Sequence, residues 1–298
     1  MLGLVGTIPE DRFPLTCGPA LLKEGQIHIE NRAVAVNRGT PALIAAAAET
    51  LRYLGRPAPF CYLVGDIGSG EGSRQLYKHL IAGIRESSFS ALALHYFQPD
   101  VTLFKEMLSE IEAMAPRPTL IADAGFMYVA KMGGDAAHFD LFTPDAGELA
   151  YLADEKAPHP FYTRGFILHD ENLVPDLIAR AYRHNNAAAY LLVKGAGDHL
   201  ADKEGILAKI DRPKEEVLEA IGGTGDTLTG IVSALIARGM KIEEAAVDAA
   251  KVNRLAGLYA KPTPATQIAD LIKEIPRALD EVLGTGERSK TDEGSRRP

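Results

Sequence analysis

The sequence predicts an α/β fold built on a mainly parallel sheet. Three features point there: short apolar runs that read as buried strands, helical stripes between them, and a dense glycine turn opening straight into a helix. The expected strands are Cys61–Val64, Ala91–His95, Leu120–Asp123, Phe139–Thr143 and Tyr190–Lys194. Helical stretches lie near Ser73–Ile84, Val101–Ala115, Ala146–Ala153 and Leu173–His184. Such alternation implies right-handed crossovers with helices on both sheet faces. Ligands of these sheets gather outside the carboxyl ends of the strands.

Ahead of these elements, Gln26–Asn37 holds two short alternating runs around Asn31-Arg32, a pattern that predicts a hairpin. Thr40 has the chemistry of an N-cap, with Pro41 at the first helical position. Leu43, Ile44, Ala47, Ala48 and Leu51 repeat at helical spacing until Gly55 closes the helix. The last segment, Gly284–Pro298, has no large apolar residue and reads as a flexible tail. With no repeat or internal linker, one domain over residues 1–283 is expected, followed by that tail over 284–298.

Composition narrows the partners. A formal net charge of −8 argues against a nucleic-acid surface. Two cysteines, Cys17 and Cys61, make no disulfide framework and no zinc pattern. No apolar run is long enough to span a bilayer, and no charged-then-apolar leader opens the chain. These features predict a cytoplasmic protein whose partners are small molecules, not nucleic acid or membrane. The histidines are scattered without metal-ligand spacing, and His95, closing an apolar strand, reads as a core or rim residue. No Gly-x-Ser-x-Gly elbow is present, and the run Gly65–Gly72 lacks the Gly-Lys-Ser/Thr ending of a Walker A loop.

The sharpest signal is Ile221–Gly230, IGGTGDTLTG. A helix follows at once: Leu228, Ile231, Val232, Leu235 and Ile236 form its buried stripe, Arg238 sits in the last turn, and Gly239 ends it. Gly222, Gly223 and Gly225 allow turns that other residues resist and bring backbone N–H groups close to a ligand. Together with the helix N-terminus they form an anion hole. Asp226 falls in the first turn, either as a general base or as a carboxylate that only complements the helix dipole.

IGGTGDTLTG resembles the G-x-G-D signature of the ribokinase-like superfamily, and its wording is especially similar to the ATP- or ADP-dependent NAD(P)H-hydrate dehydratases. The resemblance implies a three-layer α/β/α sandwich with a mainly parallel central sheet, and a small β lid for which the 26–37 hairpin is the candidate. By resemblance, Asp226 takes a proton from the substrate hydroxyl, while Gly222, Gly223, Thr224 and Gly225 line the phosphate site. Upstream, RGTPALIAAAAETLRYLG and YLVGDIGSGEGSRQLYKHL look like the sugar-kinase branch, matching at Gly39, Leu54, Gly55, Val64, Gly65, Asp66 and Gly72. FTPDAGEL resembles the superfamily's Asn-x-x-Glu motif near magnesium, with Asp145 in place of asparagine and Glu148 retained. LLVKGAGDHLADKEG looks like the strand and turn that flank the nucleotide, through Lys194, Gly195 and Gly197, and Asn253 falls where adenine packs in relatives. Arg38, Gly39, Asp66 and Asp123 are the candidate substrate-facing residues. For Arg38 an exposed turn arginine, and for Asp66 a turn-ordering carboxylate, are the plainer alternatives.

The pattern also departs from the family. Asp145-Ala146-Gly147-Glu148 stands where the dehydratases carry His-Pro-Gly-Glu, and Val217–Ala220 replaces their Asn-Pro-Gly approach to the glycine turn. Three functions are therefore expected in order. The first is a magnesium-dependent kinase moving phosphate from ATP (or ADP) to a hydroxyl of a sugar or vitamin precursor. The second is an NAD(P)H-hydrate dehydratase, and the third a nucleotide-binding protein without catalysis. A homo-oligomer clasped through the hairpin is a further expectation by analogy.

Overall fold

In the computed structural model, residues 1–157 and 173–294 are described, with side chains through Gly284. Side chains alternate across a strand, and here both faces of the central strands are apolar. Along β1 (Leu2–Ile8), Leu2, Leu4 and Ile8 enter one core layer while Val5 enters the other. Along β5 (Phe60–Gly65), Cys61 and Leu63 face the first layer and Tyr62 and Val64 the second. β6 (Ala91–His95) and β7 (Thr119–Asp123) repeat the division.

The remaining strands are β2 (Thr16–Lys23), β3 (Gln26–Ile29), β4 (Arg32–Ala35), β8 (Leu141–Phe142), β9 (Tyr190–Val193), β10 (Asp198–Asp202) and β11 (Gly205–Ile210). The sheet runs in the order β11-β10-β9-β8-β7-β6-β1-β5-β2-β3-β4. From β9 through β5 neighbouring strands are parallel. The β10–β11 hairpin extends one end and β2–β3–β4 the other, all in antiparallel pairing.

Helices cover both faces. One layer holds α1 (Thr40–Tyr53), α7 (Thr224–Ala237), α8 (Ile242–Tyr259), α9 (Ile268–Lys273) and α10 (Ile275–Gly294). The other holds α2 (Glu71–Gly83), α3 (Val101–Glu112), α4 (Gly125–Gly133), α5 (Ala146–Ala153) and α6 (Val174–Arg183). This is the three-layer α/β/α sandwich that the sequence predicts.

Several expectations need adjustment. The hairpin forms as β3–β4 but turns at Glu30-Asn31, and its inward residues Ile27, Ile29 and Val34 belong to the core beside α1. Thr40 does not cap α1. Gly39 is the N-cap, with φ 66°, and Thr40 is buried with its hydroxyl turned to the sheet. Strands β1, β2, β10 and β11 were not legible as strands in the sequence pattern. β1 lacks polar alternation because both its faces are covered, and β2 is interrupted by Gly18 and Pro19. The expectation of a tail over 284–298 falls almost wholly on residues whose side chains are outside the described set. Among the described residues, no helix is long and apolar enough to cross a membrane.

Candidate active site

Parallel strands bring their carboxyl ends to one edge, and the chemistry collects there. His95 ends β6, Asp123 ends β7 opposite it in register, and Lys194 follows β9 directly. A lone bridge between Asp145 and Lys194, with the Lys194 N–H donating to the Pro144 carbonyl at 2.8 Å, draws the start of α5 to the same place.

Helix α7 points its N-terminus into this edge. Its N-cap is Gly223, at φ 105°, a backbone conformation costly for any residue with a Cβ. No side chain caps the helix, which leaves the first-turn N–H groups and the positive end of the helix dipole facing the site. Asn253 on α8 fixes that first turn, donating to the Thr224 carbonyl at 3.0 Å and accepting from the Thr227 hydroxyl at 2.7 Å. Its neighbour Arg254 pairs with buried Asp198 at 2.8 Å and donates to the Gly195 carbonyl at 3.0 Å, which pins the Gly195–Gly197 turn. Two cations flank the glycine turn. A Cβ at Gly225 would lie 3.3 Å from the Lys194 chain, and one at Gly222 would lie 3.8 Å from Arg38. Arg38 is exposed, as a residue free to meet an arriving anion must be.

Asp226 is the convergence point. Its Oδ2 accepts the Gly39 N–H at 2.8 Å, so the N-terminus of α1 also reaches it. Its Oδ1 lies 3.1 Å from His95 Nε2. Burial alone would push the Asp226 carboxyl up, but the His95 contact, the Lys194 charge and the Gly39 N–H outweigh it and hold the group below its ordinary value. Asp226 is thus ionised and part-buried at the carboxyl edge of the sheet.

Asp123 lies beneath it, only 1% exposed. Its Oδ1 accepts from Lys194 Nζ at 2.6 Å and its Oδ2 from the Thr229 hydroxyl at 2.6 Å. Burial works against the Lys194 ammonium, yet Asp123, Glu148 and Asp226 together raise it above its ordinary value. His95, Asp123 and Asp226 place ligand atoms within 4.8 Å of one another. The ammonium on Asp123 already supplies the cation there, so the cluster works as a charge network. Asp145 and Glu148 form a reciprocal capping box at the start of α5, with 2.7 and 2.8 Å hydrogen bonds. The Glu148 carboxyl is pushed up to about 8, first by burial and then by the negative charges of Asp145 and Asp123, against the pull of Lys194.

Asp66 stands apart from this group. Its two oxygens accept from the N–H groups of Gly68, Gly70 and Ser73 and from the Ser73 hydroxyl, so it orders the turn before α2. Two residues enter the site that sequence reasoning did not assign to it. His95 reads from the sequence as a core or rim residue; the one available signal is its place at the carboxyl edge of a buried strand. Tyr96 follows it at φ 52°, held by a 2.5 Å hydrogen bond from the Thr7 hydroxyl to its carbonyl. Backbone strain of this kind clusters at functional sites. Tyr96 is 42% exposed, and its ring packs edge-on against His95 at 4.3 Å.

Residues 99–277, which include Asp123, Glu148, Lys194 and Asp226, match the family described as NAD(P)H-hydrate dehydratase. The chain belongs to the NAD(P)H-hydrate dehydratase family. It is 43% identical over 242 residues to an uncharacterized protein of Methanocaldococcus jannaschii, covering 81% of this chain and 100% of that one. It is 26% identical over 259 residues to a bifunctional NAD(P)H-hydrate repair enzyme of Pyrobaculum aerophilum, covering 81% of this chain but 48% of that enzyme. The chain thus spans the whole Methanocaldococcus protein and about half the length of the Pyrobaculum repair enzyme. Among solved structures, the ADP/ATP-dependent NAD(P)H-hydrate dehydratase of Bacillus subtilis, co-crystallized with ATP/Mg2+, shares the fold. The TM-score is 0.56 at 14% identity, over 94% of this chain and 92% of that one. The fold is ribokinase-like, as the sequence motifs imply. The matched segment leaves out Arg38, Gly39 and Asp66, which lie in the stretches that resemble the sugar-kinase branch.

Proposed function

We propose that the chain is an ADP- or ATP-dependent NAD(P)H-hydrate dehydratase. Family membership favours this reading over an alcohol kinase of the same fold. The observation that carries it is the ionised Asp226 at the uncapped start of α7, between Lys194 and His95 and inside the matched segment.

In this reading Asp226 accepts the proton of the substrate hydroxyl as its oxygen bonds to the transferred phosphorus, and ADP (from ATP) leaves. The phosphate ester then loses phosphate while the neighbouring carbon gives up a proton, which restores the ring double bond. The first-turn amides of α7, Lys194 and Arg38 bind the negative charge that spreads over the transferring group. Asp145 and Glu148 would hold Mg2+. Their oxygen donors suit a hard cation, and the crowding that pushes the Glu148 carboxyl up is what a divalent charge would relieve. Bound there, the ion would neutralise phosphate charge. The exposed Tyr96 ring offers a flat surface for the nicotinamide ring.

Incubating hydrated NADH with ADP or ATP and Mg2+ tests the proposal. The expected result is return of nicotinamide absorbance with stoichiometric release of phosphate. Release of ADP on addition of a sugar or vitamin-precursor alcohol, without that return, would favour the kinase. Nucleotide binding with neither outcome would favour a protein that has lost catalysis.

A further inference from the structure

The hydrogen bonds around His95 fix where its ring hydrogens lie. His95 is 1% exposed, so no solvent hydrogen bond offsets a mismatch. The Thr40 hydroxyl lies 2.7 Å from the Thr7 carbonyl and 2.8 Å from His95 Nδ1. A carbonyl only accepts, so the single hydroxyl hydrogen points to Thr7. Turning it to Nδ1 instead would leave two acceptor oxygens facing each other at 2.7 Å. Nδ1 must therefore donate to Thr40. That choice commits the other nitrogen: Nε2 faces Asp226 Oδ1 at 3.1 Å and Asp123 Oδ2 at 3.8 Å. A bare lone pair between two carboxylates is repulsive, so a second hydrogen is required there.

We infer that one proton bridges His95 Nε2 and Asp226 Oδ1, in addition to the proton on Nδ1, and that His95 is the positioning residue that orients the base. Four elements besides β6 build the arrangement. β1 supplies the Thr7 carbonyl and α1 supplies Thr40, while Gly6 makes room for that side chain; a Cβ there would lie 2.7 Å from Thr40 Cγ2. α7 supplies Asp226 and β7 supplies Asp123. The other groups facing the pair are the Lys194 ammonium, held on Asp123, and the Tyr96 ring. With Gly39 N–H on Oδ2 and Nε2–H on Oδ1, each Asp226 oxygen has one fixed donor and a lone pair left for a substrate hydroxyl. The hydrogen count stands on geometry alone; its bearing on turnover rests on Asp226 being the base.

Nitrogen NMR of the full chain labelled in histidine tests the bridge without any substrate. The expected result at pH 7 is a hydrogen on each ring nitrogen of His95. Thr40→Val removes the acceptor for Nδ1, and the ring should then keep its hydrogen on Nε2 and lose the one on Nδ1. A wild-type ring with Nε2 bare at pH 7 would overturn the inference. The positioning role is read from the pH profile of kcat/KM in His95→Gln. The His95 contact is the largest of the three influences that hold the Asp226 carboxyl down, so its acid limb should move up, with a loss of about tenfold per unit at low pH that is recovered as pH rises. An unmoved acid limb would remove the positioning role. Activity absent from wild type as well would count against the dehydratase reading and leave the NMR result to decide the bridge.

Discussion

Replacing Asp226 with asparagine is expected to lower turnover by about 10²–10⁴-fold while nucleotide affinity stays near that of the parent. The hydroxyl of the substrate has a pKa far above neutrality, so its oxygen attacks phosphorus only as its proton leaves. An amide cannot take that proton. The substitution also creates a local conflict. Asparagine Oδ1 can satisfy one of the two donors, Gly39 N–H or His95 Nε2, and the amide NH₂ then faces the other. The proposed phosphate grip consists of backbone N–H groups of α7, Lys194 and Arg38, none of which the change removes. Calorimetric titration with ADP beside a turnover assay separates the two effects. Activity retained within about tenfold, well short of that loss, would contradict the role of Asp226.

The second large effect is expected from Lys194→Met. Lys194 is the cation that neutralises Asp123, a carboxylate only 1% exposed, across a 2.6 Å contact. Removing one partner of a buried pair leaves an uncompensated charge and typically costs ~3–5 kcal/mol. Thr229 and the Ala124 N–H remain on Asp123, at 2.6 and 2.8 Å, so the fold is weakened and not abolished. The sign with pH follows from the raised ammonium. Its stabilisation is fully present below the ordinary lysine value of 10.5 and is lost only as pH rises through the higher folded value. Urea denaturation should therefore show the full difference between variant and parent at pH 7, narrowing only in strong alkali. A difference below about 1 kcal/mol, the scale of an exposed pair, would mean that Lys194 is not the buried counter-ion described.

How much of this was legible in the sequence differs by type of feature. The central strands β5, β6, β7 and β9 and the helices α1, α2, α3, α5 and α6 announce themselves by short apolar runs and helical stripes, and each falls within a few residues of the reading. The glycine turn is legible because such glycine density before an apolar helix is rare. The edge strand β11 is not legible because, half-exposed, it carries no continuous apolar run. The network under Asp226 was not legible at all. His95 meets a residue 131 positions away, Lys194 one 71 away and Thr229 one 106 away. Such pairings are set by sheet order, in which β6 and β7 are neighbours and α7 crosses above them. Thr40 shows the same limit. Its side chain suits a helix cap, but the close packing of α1 on β1 gives it the Thr7 carbonyl and the His95 ring instead.

The start of α7 is proposed to hold the phosphates of a nucleotide within reach of Asp226. A crystal structure of the chain with a non-hydrolysable ATP analogue and Mg2+ measures this directly. The terminal phosphate should lie against the amides of Gly222–Gly225, between Lys194 and Arg38, with its phosphorus facing the free edge of the Asp226 carboxylate. A triphosphate bound away from that helix start, with the glycine turn left to solvent, would contradict the account.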